Sequence, residues 1–104
     1  MPLSIAVLRT GDRAVLTVTG EIDIRSAPEL REQLQVCATE GVSEVEIDLR
    51  TVTFLDSTAL SVMVGAHKRL ARDGGALEVR TAGGAVRRVL EVTGLDRVFR
   101  VTDG

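Results

Sequence analysis

The residues able to do chemistry are densest at Asp56-Ser57-Thr58, directly behind the apolar run Val52-Thr53-Phe54-Leu55. Asp, Ser and Thr are the preferred residues at a helix start. There a side-chain oxygen accepts from N–H groups that have no partner in the helix, worth ~1 kcal/mol. The same position holds a hydroxyl at an exposed helix end, open to modification. The two readings are compatible, because one residue can cap while its neighbour faces solvent.

A nucleophilic role for Ser57 needs a base within about 3 Å. The single histidine, His67, lies ten residues along the same expected helix, roughly 15 Å away at ~1.5 Å per residue. A Ser-His pair is therefore excluded on a straight helix, and no Gly-x-Ser-x-Gly elbow occurs. His67 falls on the apolar stripe and reads as a partly buried packing residue. Asp23 and Asp56 could meet at one sheet edge, as a carboxylate pair for acid-base work or a cation. Both loops are short, and no inserted segment builds a cleft beside them. Gly83-Gly84 before a helix has a faint phosphate-cradle character, but the lysine and spacing of a P-loop are missing. A tight strand-to-helix turn is the expectation. One cysteine, Cys37, and one histidine leave no disulfide and no zinc site of the usual kind. No catalytic residue, cofactor or metal is expected.

These residues need elements to position them. Leu3–Leu8 is apolar and β-compatible, Gly11-Asp12 is a turn, and Ala14–Thr19 is a second strand, which implies an antiparallel pair. Ser26 with Glu29 has capping-box spacing, Pro28 suits a first turn, and Leu30, Leu34 and Cys37 have core spacing in a helix that ends near Gly41. Val45-Glu46-Ile47-Asp48-Leu49 alternates strictly, so its two acids place one face near water. The second helix opens at Asp56-Ser57-Thr58. Leu60, Met63, Val64, His67, Leu70 and Ala71 form its core stripe, and Gly74-Gly75 stops it. Ala59, Val62 and Ala66 lie off that stripe, with Ser61 and Gly65 nearby. They read either as a flat surface for a partner or as a face covered by the chain itself. Ala76–Thr81 is a strand, and Val86, Val89 and Leu90 face inward on a third helix that Gly94 stops. Val98–Thr102 is a last strand or an extended tail.

The order β-β-α-β-α-β-α, with or without a final β, predicts an α/β fold in one domain spanning residues 1–104. Its sheet is mixed, with four or five strands and packed helices. Three β-α turns, Gly20–Ser26, Thr51–Thr58 and Thr81–Ala85, should converge at the carboxyl edge of the parallel strands, where such sheets carry their sites.

Composition narrows the function further. The chain has 104 residues, is 44% hydrophobic and 27% charged, and carries a formal charge of −2. With Phe54 and Phe99 its only aromatics, it has no stacking platform for bases, and its charge does not suit a phosphate backbone. Residues 1–67 hold 5 basic and 10 acidic side chains, and residues 68–104 hold 8 and 5, which reads as two solvated faces. No leader pattern and no apolar run near ~20 residues is present, so the expected location is the cytoplasm, with no membrane and no direct nucleic-acid contact.

The whole pattern resembles the STAS domain, and specifically the stand-alone bacterial anti-sigma factor antagonists. The carriers are Leu16-Thr17-Val18-Thr19-Gly20-Glu21-Ile22-Asp23, Phe54-Leu55-Asp56-Ser57-Thr58-Ala59-Leu60, Gly74-Gly75 before a strand, and Val89-Leu90-Glu91-Val92-Thr93-Gly94-Leu95. The Asp-Ser-Thr segment after a hydrophobic strand is the most specific. The resemblance implies a non-enzymatic switch in partner exchange. The antagonist binds an anti-sigma factor that is also a serine kinase, and so frees a sigma factor. Phosphorylation by that kinase weakens the complex, and a serine phosphatase resets it.

Carried over by position, the acceptor is Ser57, with Thr58 second. Asp23 and Asp56 would shape its surroundings. Thr58, Ala59, Val62 and Ala66 would add the docking surface on the second helix. Where this chain has Ala59 the family usually carries Gly, which implies an added methyl at that surface. The competing expectations are a STAS scaffold or accessory subunit without a phosphorylation cycle, and a nucleotide sensor built on the Gly83-Gly84 turn.

Overall fold

The computed structural model describes residues 2–104. A two-residue turn, Gly11-Asp12, folds β1 (Ser4–Thr10) back on β2 (Arg13–Ile22), pairing all seven β1 residues from Ser4–Thr19 to Thr10–Arg13. Gly11 sits at φ +61°, a left-handed conformation that glycine adopts without steric cost. α1 (Ala27–Thr39), β3 (Glu44–Leu55), α2 (Ser57–Arg72), β4 (Ala76–Thr81), α3 (Gly84–Val92), a short 3-10 turn (Leu95–Arg97) and β5 (Arg100–Asp103) follow.

The five strands lie in sequence order, and β2 through β5 are parallel. Three right-handed crossovers moving the same way along a sheet place their helices on one face. That face carries the core: Ala14, Leu16, Val18 and Ile22 from β2, Val45, Ile47 and Leu49 from β3, and Leu77 and Val79 from β4. Leu30, Leu34 and Cys37 of α1 close over it as their spacing predicts. Phe99 is buried, and its ring stands edge-on to His67 with centroids 5.7 Å apart at 75°. His67 is therefore the partly buried packing residue expected.

Three local expectations are overturned. The Ser26–Glu29 capping box does not form, although Ser26 is the N-cap residue. Ser26 has a near-helical backbone, φ −100° and ψ −20°, which turns its hydroxyl back to accept from the N–H of Asp23 at 2.9 Å. α1 has no side-chain cap; Asp23 instead folds the turn ahead of it, its Oδ1 accepting from the N–H groups of Arg25 and Ser26 at 2.9 and 3.1 Å.

Glu46 and Asp48 do lie on the helix-free face, but they are buried, at 6% and 5% exposure. Arginine side chains cover them. Arg13 reaches Glu46 at 3.2 Å, Arg80 reaches it at 3.5 Å, and Arg50 holds Asp48 at 2.8 Å. A parallel sheet normally has helices on both faces; here a layer of ion pairs serves on the second.

The third correction concerns α2. Ala59, Val62 and Ala66 are buried, at 0%, 6% and 3%, whereas Ala71 is exposed. They form no free surface, because α2 packs against α1 as well as the sheet. Val62 and Ala66 line the seam with Arg31 and Gln35 of α1, where small residues let two helices approach. The outward stripe of α2 is Ser57, Ser61, Gly65 and Lys68.

Candidate functional site

The carboxyl ends of β2 and β3 are tied together. The N–H of Asp56 donates to the carbonyl of Ile22 at 3.2 Å, and the Thr53 hydroxyl donates to the carbonyl of Gly20 at 3.3 Å. β4 is shorter, so the last residues of β3 pair with β2 alone, ending at Glu21–Phe54 and Ile22–Leu55. α3 closes on this overhang, with Ala85, Val86 and Val89 against Thr53, Phe54 and Leu55. The three β-α turns converge here, but each is shorter than expected, because β2 runs to Ile22, β3 to Leu55 and β4 to Thr81.

Asp56 is the N-cap of α2. Its backbone is extended, and its Oδ1 accepts from the N–H groups of Thr58 and Ala59 at 2.9 and 3.2 Å. Ser57 is the first helical residue and is exposed, and its hydroxyl has no hydrogen-bond partner among the described residues. Cap and free hydroxyl therefore coexist on neighbouring residues. Thr58 is half-buried and Ala59 fully buried, so the site narrows within two residues of Ser57.

Asp23 stands in the neighbouring turn. Hydrogen bonds from the N–H groups of Arg25 and Ser26 stabilise its charged form and hold its carboxyl below the usual range. Asp23 and Asp56 are each engaged with backbone N–H groups of their own loop and are not joined as a carboxylate pair. Gly83 and Gly84, at φ +82° and +64°, make the tight turn into α3, and the N–H of Gly83 donates to Thr81 Oγ1 at 3.1 Å. Among the described residues no three His, Cys, Asp or Glu side chains converge for a metal.

Exposed apolar side chains that the sequence reading missed stand in the turn after β2, at the end of β3 just before Ser57, and on α3. Ile24 is 71% exposed, Phe54 50% and Val92 75%. Val92 continues an apolar strip along α3 with Ala85 and Val89. Two signals pointed to them: Ile24 stands among acids and an arginine in a polar turn, and Phe54 is one of only two aromatics.

A helix-opening serine at the edge of a mixed sheet with sequential parallel strands defines the class. The family model described as "Mlab, STAS domain" matches residues 5–102, and the chain belongs to the STAS domain family. Within that family it is similar to the anti-sigma-B factor antagonist of Bacillus subtilis, 32% identical over 98% of this chain and 93% of the relative. The same designation belongs to a Staphylococcus epidermidis relative, 32% identical over 100% of this chain and 96% of its own length. The crystal structure of an anti-sigma factor antagonist from Mycobacterium paratuberculosis superposes with a TM-score of 0.86. It is 30% identical, covering 95% of this chain and 84% of that one. Unphosphorylated SpoIIAA, 17% identical, shares the fold at a TM-score of 0.85, covering 97% of this chain and 88% of that one.

Proposed function

We propose that this protein is an anti-sigma factor antagonist. It binds an anti-sigma factor that is also a serine kinase, and phosphorylation of Ser57 switches it off. A serine phosphatase returns it to the binding form. The observation that carries this reading is the exposed, unpartnered hydroxyl of Ser57 on the first residue of α2, beside the Asp56 cap. The similarity to anti-sigma-B factor antagonists along nearly the whole chain supports the partner class.

The docking surface consists of Asp23, Asp56, Ser57 and Thr58 with the exposed apolar side chains of Ile24 and Phe54. The outward stripe of α2 extends it. The buried Ala59, Val62 and Ala66 support this surface from beneath. A phosphoryl group brings about −1.5 to −2 charges. At the N-terminus of α2 the helix dipole tolerates them, so the fold persists. In a contact surface the same charge beside Asp56 repels and crowds the partner. The block is local and needs no rearrangement. The protein is the object of the phosphoryl transfer and supplies no catalytic group.

Incubation with ATP and the kinase-type anti-sigma factors of its own cell, read by intact mass and by site mapping, tests the reading. One phosphoryl group on Ser57, absent in Ser57→Ala, is expected. No phosphate on Ser57 or Thr58 with any of these kinases overturns the switch in favour of a scaffold.

A further inference from the structure

The two edges of the sheet are finished differently. β5 is four residues long, with Arg100 and Asp103 at its ends. Behind it Gly104 is held on both sides, its N–H donating to the carbonyl of Thr81 and its carbonyl accepting from Arg50, each at 2.9 Å. Short length, charge and tethering are the usual protections of an edge strand against pairing. β1 lacks them. It runs seven residues without a register break and contains no proline, lysine or acid. Its one charge, Arg9, is already held by the carboxylate and the carbonyl of Glu40 at 2.7 and 2.6 Å. Apolar side chains stand out on both faces of this edge, Val7 at 44% on the helix side and Leu8 at 69% on the open side. Val36, one turn before Glu40 on α1, is 42% exposed and widens the strip.

The hairpin shows which backbone groups of β1 are free. The two-residue turn makes Thr10 and Arg13 a hydrogen-bonded pair. Alternation along an antiparallel ladder then makes Arg9–Ala14, Val7–Leu16 and Ile5–Val18 the pairs that exchange no bonds. Ile5, Val7 and Arg9 therefore direct their N–H and C=O groups outward, away from β2.

We propose that this edge is an interface for a second copy of the chain, with the two β1 strands antiparallel about a twofold axis at Val7. Each Val7 then faces its own copy, Ile5 faces Arg9, Ala6 faces Leu8 and Ser4 faces Thr10. The outward groups of both strands are satisfied, and the two faces of the sheet continue across the axis. Apolar residues gather at the centre, and no like charges meet. A slip of two residues either way leaves a strand end unpaired. The interface is isologous, so it closes at a dimer. Because the twofold axis reverses every strand direction, the two copies turn their Ser57 edges in opposite directions. Both Ser57 surfaces stay open, and the dimer does not depend on how Ser57 is read.

Light scattering on a sizing column, from micromolar to millimolar protein, tests this. The mass should climb from 11.1 kDa towards twice that value. Val7→Lys sets two ammonium groups face to face on the axis. It should hold the mass at 11.1 kDa throughout, with an unchanged far-UV spectrum. Where Val7→Lys fails to fold, cysteine cross-linking decides. Across a hydrogen-bonded pair the Cα atoms stand ~5.5 Å apart, within disulfide reach. Val7→Cys in a Cys37→Ala background should cross-link to a dimer on mild oxidation, whereas Ala6→Cys, which faces Leu8, should not. A wild-type chain that stays monomeric at every concentration overturns the proposal. So does a dimer that survives Val7→Lys, or cross-linking that is equal at both positions.

Discussion

The backbone N–H of Asp56 donates to the carbonyl of Ile22 at 3.2 Å, joining the loop that carries Ser57 to the loop that carries Asp23. The bond lies where β3 has outrun β4 and pairs with β2 alone. The Ser57 hydroxyl therefore stands on a rigid strand-to-helix junction and not on a mobile loop. A modification there changes a surface without needing to move the backbone.

Ser57→Asp places a carboxylate where the phosphoryl group would sit. It should weaken binding to the anti-sigma partner at least about tenfold, ~1.4 kcal/mol. Ser57→Ala should bind like the wild type. Titration calorimetry measures both. The melting temperature of Ser57→Asp should not fall, because an acid in the first turn suits the helix dipole.

Asp56→Ala removes the acceptor for the N–H groups of Thr58 and Ala59. A lost N-cap costs about 0.5–2 kcal/mol. In a domain of this size that corresponds to a fall in melting temperature of roughly 4–8 °C per kcal/mol. Asp56→Asn keeps an oxygen acceptor and should retain most of the stability. Thermal unfolding of the two variants side by side checks the difference.

Ala59→Gly removes the side chain that the family resemblance marks as a departure. Its methyl is fully buried, so its removal should cost stability without altering the partner surface. Helix-interior glycine costs about 0.5–1 kcal/mol relative to alanine. Loss of a buried carbon adds ~0.8 kcal/mol. A urea series should show the lower midpoint, and partner affinity should stay at the wild-type value.

Gly75→Ala should be far more damaging than its exposure suggests. A Cβ there would run into the carbonyl oxygen of Ser43, a rigid backbone atom. That oxygen accepts from the N–H of Ala76 at 3.0 Å, in the contact that starts β4 beside β3. A clash of this kind costs about 1–3 kcal/mol or more. Chemical denaturation against the wild type measures it.

Stability should fall in acid. Arg50 beside Asp48, and the N–H groups of Arg25 and Ser26 on Asp23, hold both carboxyls below the ordinary aspartate value of ~3.9. A lowered folded value means that the stabilisation is fully present above the unfolded value. It is lost as pH falls through the folded one. Urea midpoints should be level near neutrality and drop below about pH 4. Asp48→Asn should begin lower and drop less.

Much of the molecule was legible in one dimension. Strict alternation in Val45–Leu49, glycine stops at Gly41, Gly74 and Gly94, and the Asp56-Ser57-Thr58 cap are local signals, and each element formed where its signal lay. The resemblance carried by Gly20–Asp23 and Phe54–Leu60 pointed to the fold before any coordinate. What stayed hidden depends on neighbours distant in sequence. Whether Ala59, Val62 and Ala66 are surface or seam depends on α1 crossing α2. Whether Glu46 is wet or buried depends on Arg13 and Arg80, which come from the flanking strands. Phe54 lies in an apolar run and is half exposed where β3 outruns β4. The sequence by itself determined the elements, their order and the serine at the head of α2, because periodicity, turn residues and capping act within a few residues. Only the tertiary structure decided which faces are covered and what surrounds that serine, because burial is set by the packing of whole elements.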